Sequence, residues 1–190
     1  MGSALGHLLC IDLQVDPALG IEPDPQAIFA ARQLLTMGRR LGWTIVHARR
    51  RPSASALKSD GDARVSAMRP LKSERVFFRS GRSVSESPGL SSQLEGWRGE
   101  TVLVAAFDHV ALLSCLLGCY EHGPRLVLVE DVLALHALTG KTSMEAFRTA
   151  AWHLAAGSTT IADLVASADR RAPLDFIVAA AGERHRNMQV

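Results

Sequence analysis

Residues 101–131 read TVLVAAFDHVALLSCLLGCYEHGPRLVLVED. Thr101 to Ala106 is an almost unbroken apolar run, Phe107 and Asp108 interrupt it, and an apolar stretch at helical spacing follows from roughly His109 to His122. A second apolar run, Leu126 to Val129, closes the unit before Glu130-Asp131. Strand, helix and strand in this order make a βαβ crossover, which joins parallel strands and is almost always right-handed. Parallel strands are covered by helices on both faces, which is why these runs are continuously apolar instead of alternating.

The same rhythm extends outward. His7 to Ile11, Thr44 to His47 and Val76 to Phe78 are further short apolar runs and predict buried strands. Between the first two, Ala27, Ile28, Ala31, Leu34, Leu35 and Leu41 recur at helical spacing, with Asp24 as N-cap and Pro25 at the first helical position. Ser87-Pro88 predicts a second helix start. Thr142-Ser143-Met144-Glu145 has the form of a capping box before a helix that Gly157 would close. The expected architecture is a three-layer αβα sandwich around a doubly wound, mainly parallel, Rossmann-like sheet of five to six strands.

With 190 residues, one domain is expected over residues 1–171, followed by a C-terminal tail, 172–190, whose apolar Phe176 to Ala181 either pads the core or reaches a neighbouring subunit. Arg49 to Lys72 falls outside the strand–helix rhythm and predicts a long loop, with Arg49-Arg50-Arg51 as a solvated face. Hydrophobic residues at 47% and charged residues at 21% exclude a disordered chain, and a net charge of +2 is too small to argue for nucleic acid or a membrane surface. Cys10, Cys115 and Cys119 sit in apolar runs, as buried thiols do, without the paired spacing of a zinc site. No uncharged stretch reaches the length of a membrane span, and the N-terminus lacks a basic segment followed by an apolar one, so a cytoplasmic protein is expected.

In an open parallel sheet, ligands bind beyond the carboxyl ends of the strands. Three groups stand there. Asp12-Leu13-Gln14 follows the first run directly, with Asp12 either a turn cap or a working carboxylate. Arg79 follows Val76-Phe77-Phe78 and is a permanent cation, placed either to pair with Asp12 or to hold an anion. Phe107-Asp108-His109-Val110-Ala111 leads into a helix whose first backbone N–H groups form an anion or oxyanion pocket.

The order and spacing of these motifs resemble the isochorismatase-like hydrolases, also called the cysteine hydrolase superfamily. Asp12-Leu13-Gln14 is similar to the family's Asp-x-Gln start. Val76-Phe77-Phe78-Arg79, with Ser83 and Leu90 beyond it, resembles the segment around its catalytic lysine. Leu103 to Asp131, with Gly123 and Val127-Leu128-Val129-Glu130-Asp131, resembles its nucleophile strand, helix and following strand. The likeness covers about residues 7–168. It implies a mechanism in which the Asp is the base, a Cys attacks a carbonyl or nitrile carbon, the Lys supports the charges and backbone amides hold the oxyanion.

Two departures bear on that mechanism. Counting back from Gly123 and Asp131 puts Ala111 where the nucleophilic cysteine belongs, and Arg79 stands in the lysine's place. A methyl group cannot attack, and a guanidinium grips oxyanions without exchanging protons. Cys115 lies one helical turn beyond Ala111, a distant substitute whose plainer reading is a core residue. The Asp-x-His pair of the metal-binding branch is missing, since the region reads His47-Ala48-Arg49-Arg50-Arg51, so no metal is expected; His47 reads as a strand-end core histidine. No other cofactor is implied. A cysteine-free branch protonates a vinyl ether with an acid. Asp12 can do this only when protonated, and a neighbouring Arg79 is expected to favour its ionised form. His109 is either a new general base or, with Asp108, a helix cap.

Two functions follow. One is a non-catalytic relative that binds a small, carboxylate-bearing molecule or serves in assembly. The other is a cysteine-independent hydrolase with Asp12 as acid or base, Arg79 anchoring a substrate carboxylate, and the Val110 and Ala111 amides stabilising negative charge. Gln14, Phe107, Asp108, His109 and Val110 would line the pocket. Family resemblance implies a homo-oligomer. An unrelated Rossmann-like binder is the third reading, though no Gly-rich phosphate loop follows the first strand.

Overall fold

The computed structural model describes residues 6–16, 21, 23–51, 68–81, 87–120, 123–133 and 141–169. Six strands make one sheet: β1 (His7–Ile11), β2 (Thr44–Arg50), β3 (Arg75–Arg79), β4 (Thr101–Ala106), β5 (Arg125–Val129) and β6 (Gly157–Thr159). Among the described residues five α-helices connect or follow them: α1 (Pro25–Arg40), α2 (Pro88–Gly96), α3 (His109–Cys119), α4 (Lys141–Leu154) and α5 (Ile161–Asp169). All strand pairs are parallel, in the order β3-β2-β1-β4-β5-β6. The chain therefore winds outward in one direction from β1, returns to the centre, and winds the other way from β4. The reversal point between β1 and β4 is where such sheets open a crevice for ligands.

Strand alternation sorts the core into two layers. Leu9, Ile11, Val46, Ala48, Val102, Val104 and Ala106 pack against α2, α3 and α4. Leu8, Cys10, Ile45, Leu103, Ala105, Val127 and Val129 face α1 and α5. The expected three-layer αβα sandwich is the fold. At α1 the capping reading holds in detail: Asp24 Oδ1 accepts from the Ala27 amide at 2.6 Å, Pro25 opens the helix, and Arg39 and Arg40 complement its C-terminal dipole. Gly123 lets the chain leave α3 tightly, because a Cβ there would stand 2.7 Å from the Cys119 backbone.

Several boundaries differ from the sequence reading. The α3 helix ends at Cys119, short of His122, and α4 begins at Lys141, upstream of the Thr142 expected to cap it. Gly157 does not close α4; it opens β6, whose three residues are too short to show a periodicity. The expected loop from Arg49 is overturned at its start, since β2 runs through Arg50, and Met68 is buried against the α1 layer. Residues 52–67 of that loop and the apolar tail lie outside the described residues.

His47 lies inside β2 and not at its end, 1% exposed, with Nε2 2.9 Å from Glu74 Oε2. Glu74, just before β3, also accepts from Arg39 Nε at 2.7 Å and from the Leu71 amide at 2.8 Å. Burial raises its pKa, but the hydrogen bonds from His47, Arg39 and Leu71 outweigh burial and bring it down to about 2. A carboxylate with a depressed folded pKa stabilises the fold above its unfolded value and loses that contribution as pH falls through the folded one. Glu74→Gln should therefore cost roughly 2–3 kcal/mol at neutral pH. The gap from the parent should close as pH drops from 4.5 towards 2. Denaturant melts across that range check it, and a pH-independent gap would exclude the charge as the cause.

Candidate functional site

The carboxyl ends of four adjacent strands, β3, β2, β1 and β4, deliver Arg79, Arg50, Asp12 and Asp108 to one place. Asp12 leaves β1 with φ 48°, in the left-handed region that Asp tolerates better than most residues. That conformation takes it out of the strand alternation it would otherwise share with Cys10, which stays in the α1 layer. The Asp12 carboxylate is fully buried. Oδ1 accepts from the Arg50 amide at 2.8 Å, and Oδ2 accepts from Arg79 Nη2 at 2.5 Å with Arg50 Nε 3.5 Å away.

Arg50 and Arg79 stand in register on neighbouring strands, so two like charges meet at the sheet edge. Asp12 lies between them, and Asp108 completes the compensation through Arg50 Nη2 at 3.0 Å. Arg79 Nη1 also donates to the Gly81 carbonyl at 2.9 Å. Two guanidiniums and two carboxylates thus form a buried, charge-neutral quartet whose members are at most 11% exposed. Arg50 is the residue the sequence reading missed, and its assignment to a solvated face is corrected here. Strand parity was the available signal: Val46, Ala48 and Arg50 point the same way, towards the face that α3 covers.

Burial moves the Asp12 pKa upward more than the Arg79 and Arg50 guanidiniums and the Arg50 amide draw it down, with Asp108 adding to the rise. Arg79 does pull in the expected direction, but desolvation of a fully enclosed carboxyl exceeds it. Asp12 therefore holds a proton to a higher pH than an ordinary aspartate.

At the start of α3 the expected open oxyanion pocket is filled from within. Asp108 caps the helix, and its Oδ1 accepts from the amides of both Val110 and Ala111 at 3.0 Å. A carboxylate is a strong cap because two otherwise unpaired N–H groups and the helix dipole both favour it. Ala111 is wholly buried in the core layer with Leu112 and Cys115, while Val110 is 39% exposed. Cys115 donates to Cys119 and is fully enclosed, and both effects push its pKa well above the ordinary thiol value. It is a poor nucleophile there.

The other expected lining residues are placed as follows. Gln14 is buried; its Nε2 donates to the Arg50 carbonyl at 3.4 Å and its Oε1 accepts from Arg49 Nε at 2.8 Å. Phe107 is buried in the α1 layer and its amide donates to the Ile11 carbonyl at 3.2 Å. The His109 ring meets Phe147 of α4 edge-on with centroids 5.7 Å apart. Among the described residues no cluster of three His, Cys, Asp or Glu side chains could hold a metal ion, and no helix is long and apolar enough to cross a membrane.

Comparison with known proteins bears on the fold that carries these residues. The isochorismatase domain model matches residues 7–163. No curated protein sequence gives a significant match. Among solved structures, an isochorismatase from Pseudomonas putida is 21% identical with a TM-score of 0.54, covering 70% of this chain and 73% of that one. N-carbamoylsarcosine amidase from Thermoplasma acidophilum is 17% identical with a TM-score of 0.50, over 82% and 94%. The YcaC gene product of Escherichia coli, an octameric hydrolase of unknown specificity, is 10% identical with a TM-score of 0.55, over 82% and 74%. At these identities the likeness is one of fold.

Proposed function

The chain belongs to the isochorismatase family, and from that membership we propose that it is a non-catalytic relative which binds a small carboxylate-bearing molecule in the ancestral pocket. The observation that carries this reading is the start of α3. Ala111, which the family resemblance sets at the nucleophile position, is a buried alanine, and its own amide and that of Val110 are engaged by Asp108. Loss of the attacking group alone reduces turnover on the order of a million-fold in the best-studied hydrolase. An occupied oxyanion pocket removes a further source of rate. The Asp12–Arg79–Arg50–Asp108 quartet supplies the polar floor for a ligand. A homo-oligomer suits the reading, in line with the octamer formed by the Escherichia coli relative.

One feature supports a second reading. The raised pKa of Asp12 favours a protonated carboxyl, which is what acid-catalysed, cysteine-independent cleavage of a vinyl ether requires. Purified protein should be screened against small amides, nitriles and vinyl ethers, beside Asp12→Asn at a temperature where both are folded. The expected result is no turnover on any of them, together with a rise in melting temperature of the parent with small carboxylic acids. Turnover of a vinyl ether that Asp12→Asn abolishes would replace the first reading with the second.

A further inference from the structure

We propose that the groove between α1 and α5 is the docking site of the chain's own C-terminal segment, Phe176 to Ala181. The proposal is independent of the ligand reading, and no member of the charged quartet lines this groove. Its volume is about 730 Å³, and its apolar lining is Phe29 and Ala30 of α1 with Ile161, Ala162, Val165 and Ala166 of α5. Phe29 is 59% exposed and Val165 47%, so each helix leaves a large apolar side chain in water at the groove. Two glutamines, Gln26 and Gln33, and one carboxylate complete the lining. That carboxylate, Asp131, already accepts from the Ile161 amide at 2.5 Å. The groove therefore asks for an apolar, uncharged cover, as contiguous exposed apolar surface generally does.

Chemistry and reach select the occupant. Phe176-Ile177-Val178-Ala179-Ala180-Ala181 is a run of apolar residues without a charge, set between Asp175 and Glu183. It matches the lining in kind, and its flanking charges let the chain return to solvent on either side. The described chain ends at Asp169, the last residue of α5, which is itself one wall of the groove. At the rise of an α-helix, Ile161 at the far end of that wall stands about 12 Å from Asp169. The chain from Asp169 to Phe176 spans at most about 23–25 Å when extended, so the apolar run can reach every part of the groove. A segment tethered this closely has an effective concentration that a separate molecule does not match. The chain's own groove is thus favoured over that of a second copy.

A double-mutant cycle in the full chain tests the docking. Phe176→Asp should lower the thermal midpoint by roughly 3–12 °C, the shift that follows from exposing a large apolar side chain. Val165→Asp should lower it too, and the two together should lose little more than the larger single change. A synthetic peptide of residues 172–184 supplies a second readout by isothermal titration. It should bind Phe176→Asp at least about tenfold more tightly than the parent, if the parent groove is self-filled nine-tenths of the time or more. Adding Val165→Asp should abolish that binding. Serine replaces aspartate at either position if a variant fails to fold, as judged by circular dichroism. An unchanged midpoint in Phe176→Asp, additive losses, or equal peptide affinity in parent and variant would overturn the proposal. Sedimentation velocity should give parent and Phe176→Asp the same subunit number. A lower number in the variant would put the segment in a neighbouring copy's groove and overturn docking within one chain.

Discussion

Arg79→Met is expected to lower the thermal midpoint by roughly 6–20 °C. Removing one partner of a buried ion pair costs about 3–5 kcal/mol, because the other charge stays behind without compensation. In a chain of 190 residues each kcal/mol moves the midpoint by about 2–4 °C. Methionine matches the length of the arginine stem, so packing changes little and the loss reports the charge. The partner left behind is Asp12, fully buried, which keeps the Arg50 amide at 2.8 Å and Arg50 Nε at 3.5 Å but loses its 2.5 Å bond from Arg79. Asp12→Asn alone removes a charge that burial disfavours but sets two in-register guanidiniums against a single carboxylate, so its loss should be the smaller of the two. Asparagine tolerates the φ of 48°, so backbone strain does not confound the comparison. The double variant, Asp12→Asn with Arg79→Met, leaves the Arg50–Asp108 pair neutral by itself and should recover more than half of either single loss. Additive losses in the double-mutant cycle would mean that the quartet is not one electrostatic unit.

The second large effect concerns chemistry. Ala111→Cys sets a thiol at the position that the family resemblance gives to the nucleophile, yet that change alone should leave hydrolysis of p-nitrophenyl acetate at background. The Val110 and Ala111 amides are already bonded to Asp108, so the oxyanion formed on the ester carbonyl oxygen when the new thiolate attacks its carbon would find neither amide free. Adding Asp108→Gly frees both amides. Restoring such donors is worth about 10²–10³ in turnover, and the doubly substituted protein should exceed Ala111→Cys by that factor. Any background from Cys10, Cys115 and Cys119 is read from the parent protein assayed alongside. A double variant no faster than Ala111→Cys would show that the capped amides do not limit a thiol at this position.

The fold was legible because each buried strand announces itself. Thr101 to Ala106 and Leu126 to Val129 are apolar throughout, as covered parallel strands must be. The Asp24-Pro25 start of α1 was readable from chemistry that acts within three residues. β6 was not, since Gly157–Thr159 is short and carries no pattern. In the site, Asp12 and Arg79 stood out as charges at the ends of apolar runs, and the structure brings them together. Arg50 was hidden by its neighbours: within Arg49-Arg50-Arg51 only a parity count along β2 separates a buried arginine from solvated ones. The capture of the Val110 and Ala111 amides was hidden for another reason. An aspartate before a helix reads equally as cap and as pocket lining, and here the carboxylate caps the helix.

The strand order also fixes when this site can come into being during folding. Asp12 is 67 residues from Arg79 and Arg50 is 58 from Asp108, and four strands on both sides of the reversal must be docked before these charges find one another. Contacts of such long sequence separation form slowly and late, after the loop-closure entropy has been met. A nascent chain halted before β4 would hold Arg50, Arg79 and Asp12 with their fourth member unsynthesised. The charge-balanced cluster is thus a completion check, satisfied only when the four strands from β3 to β4 have docked.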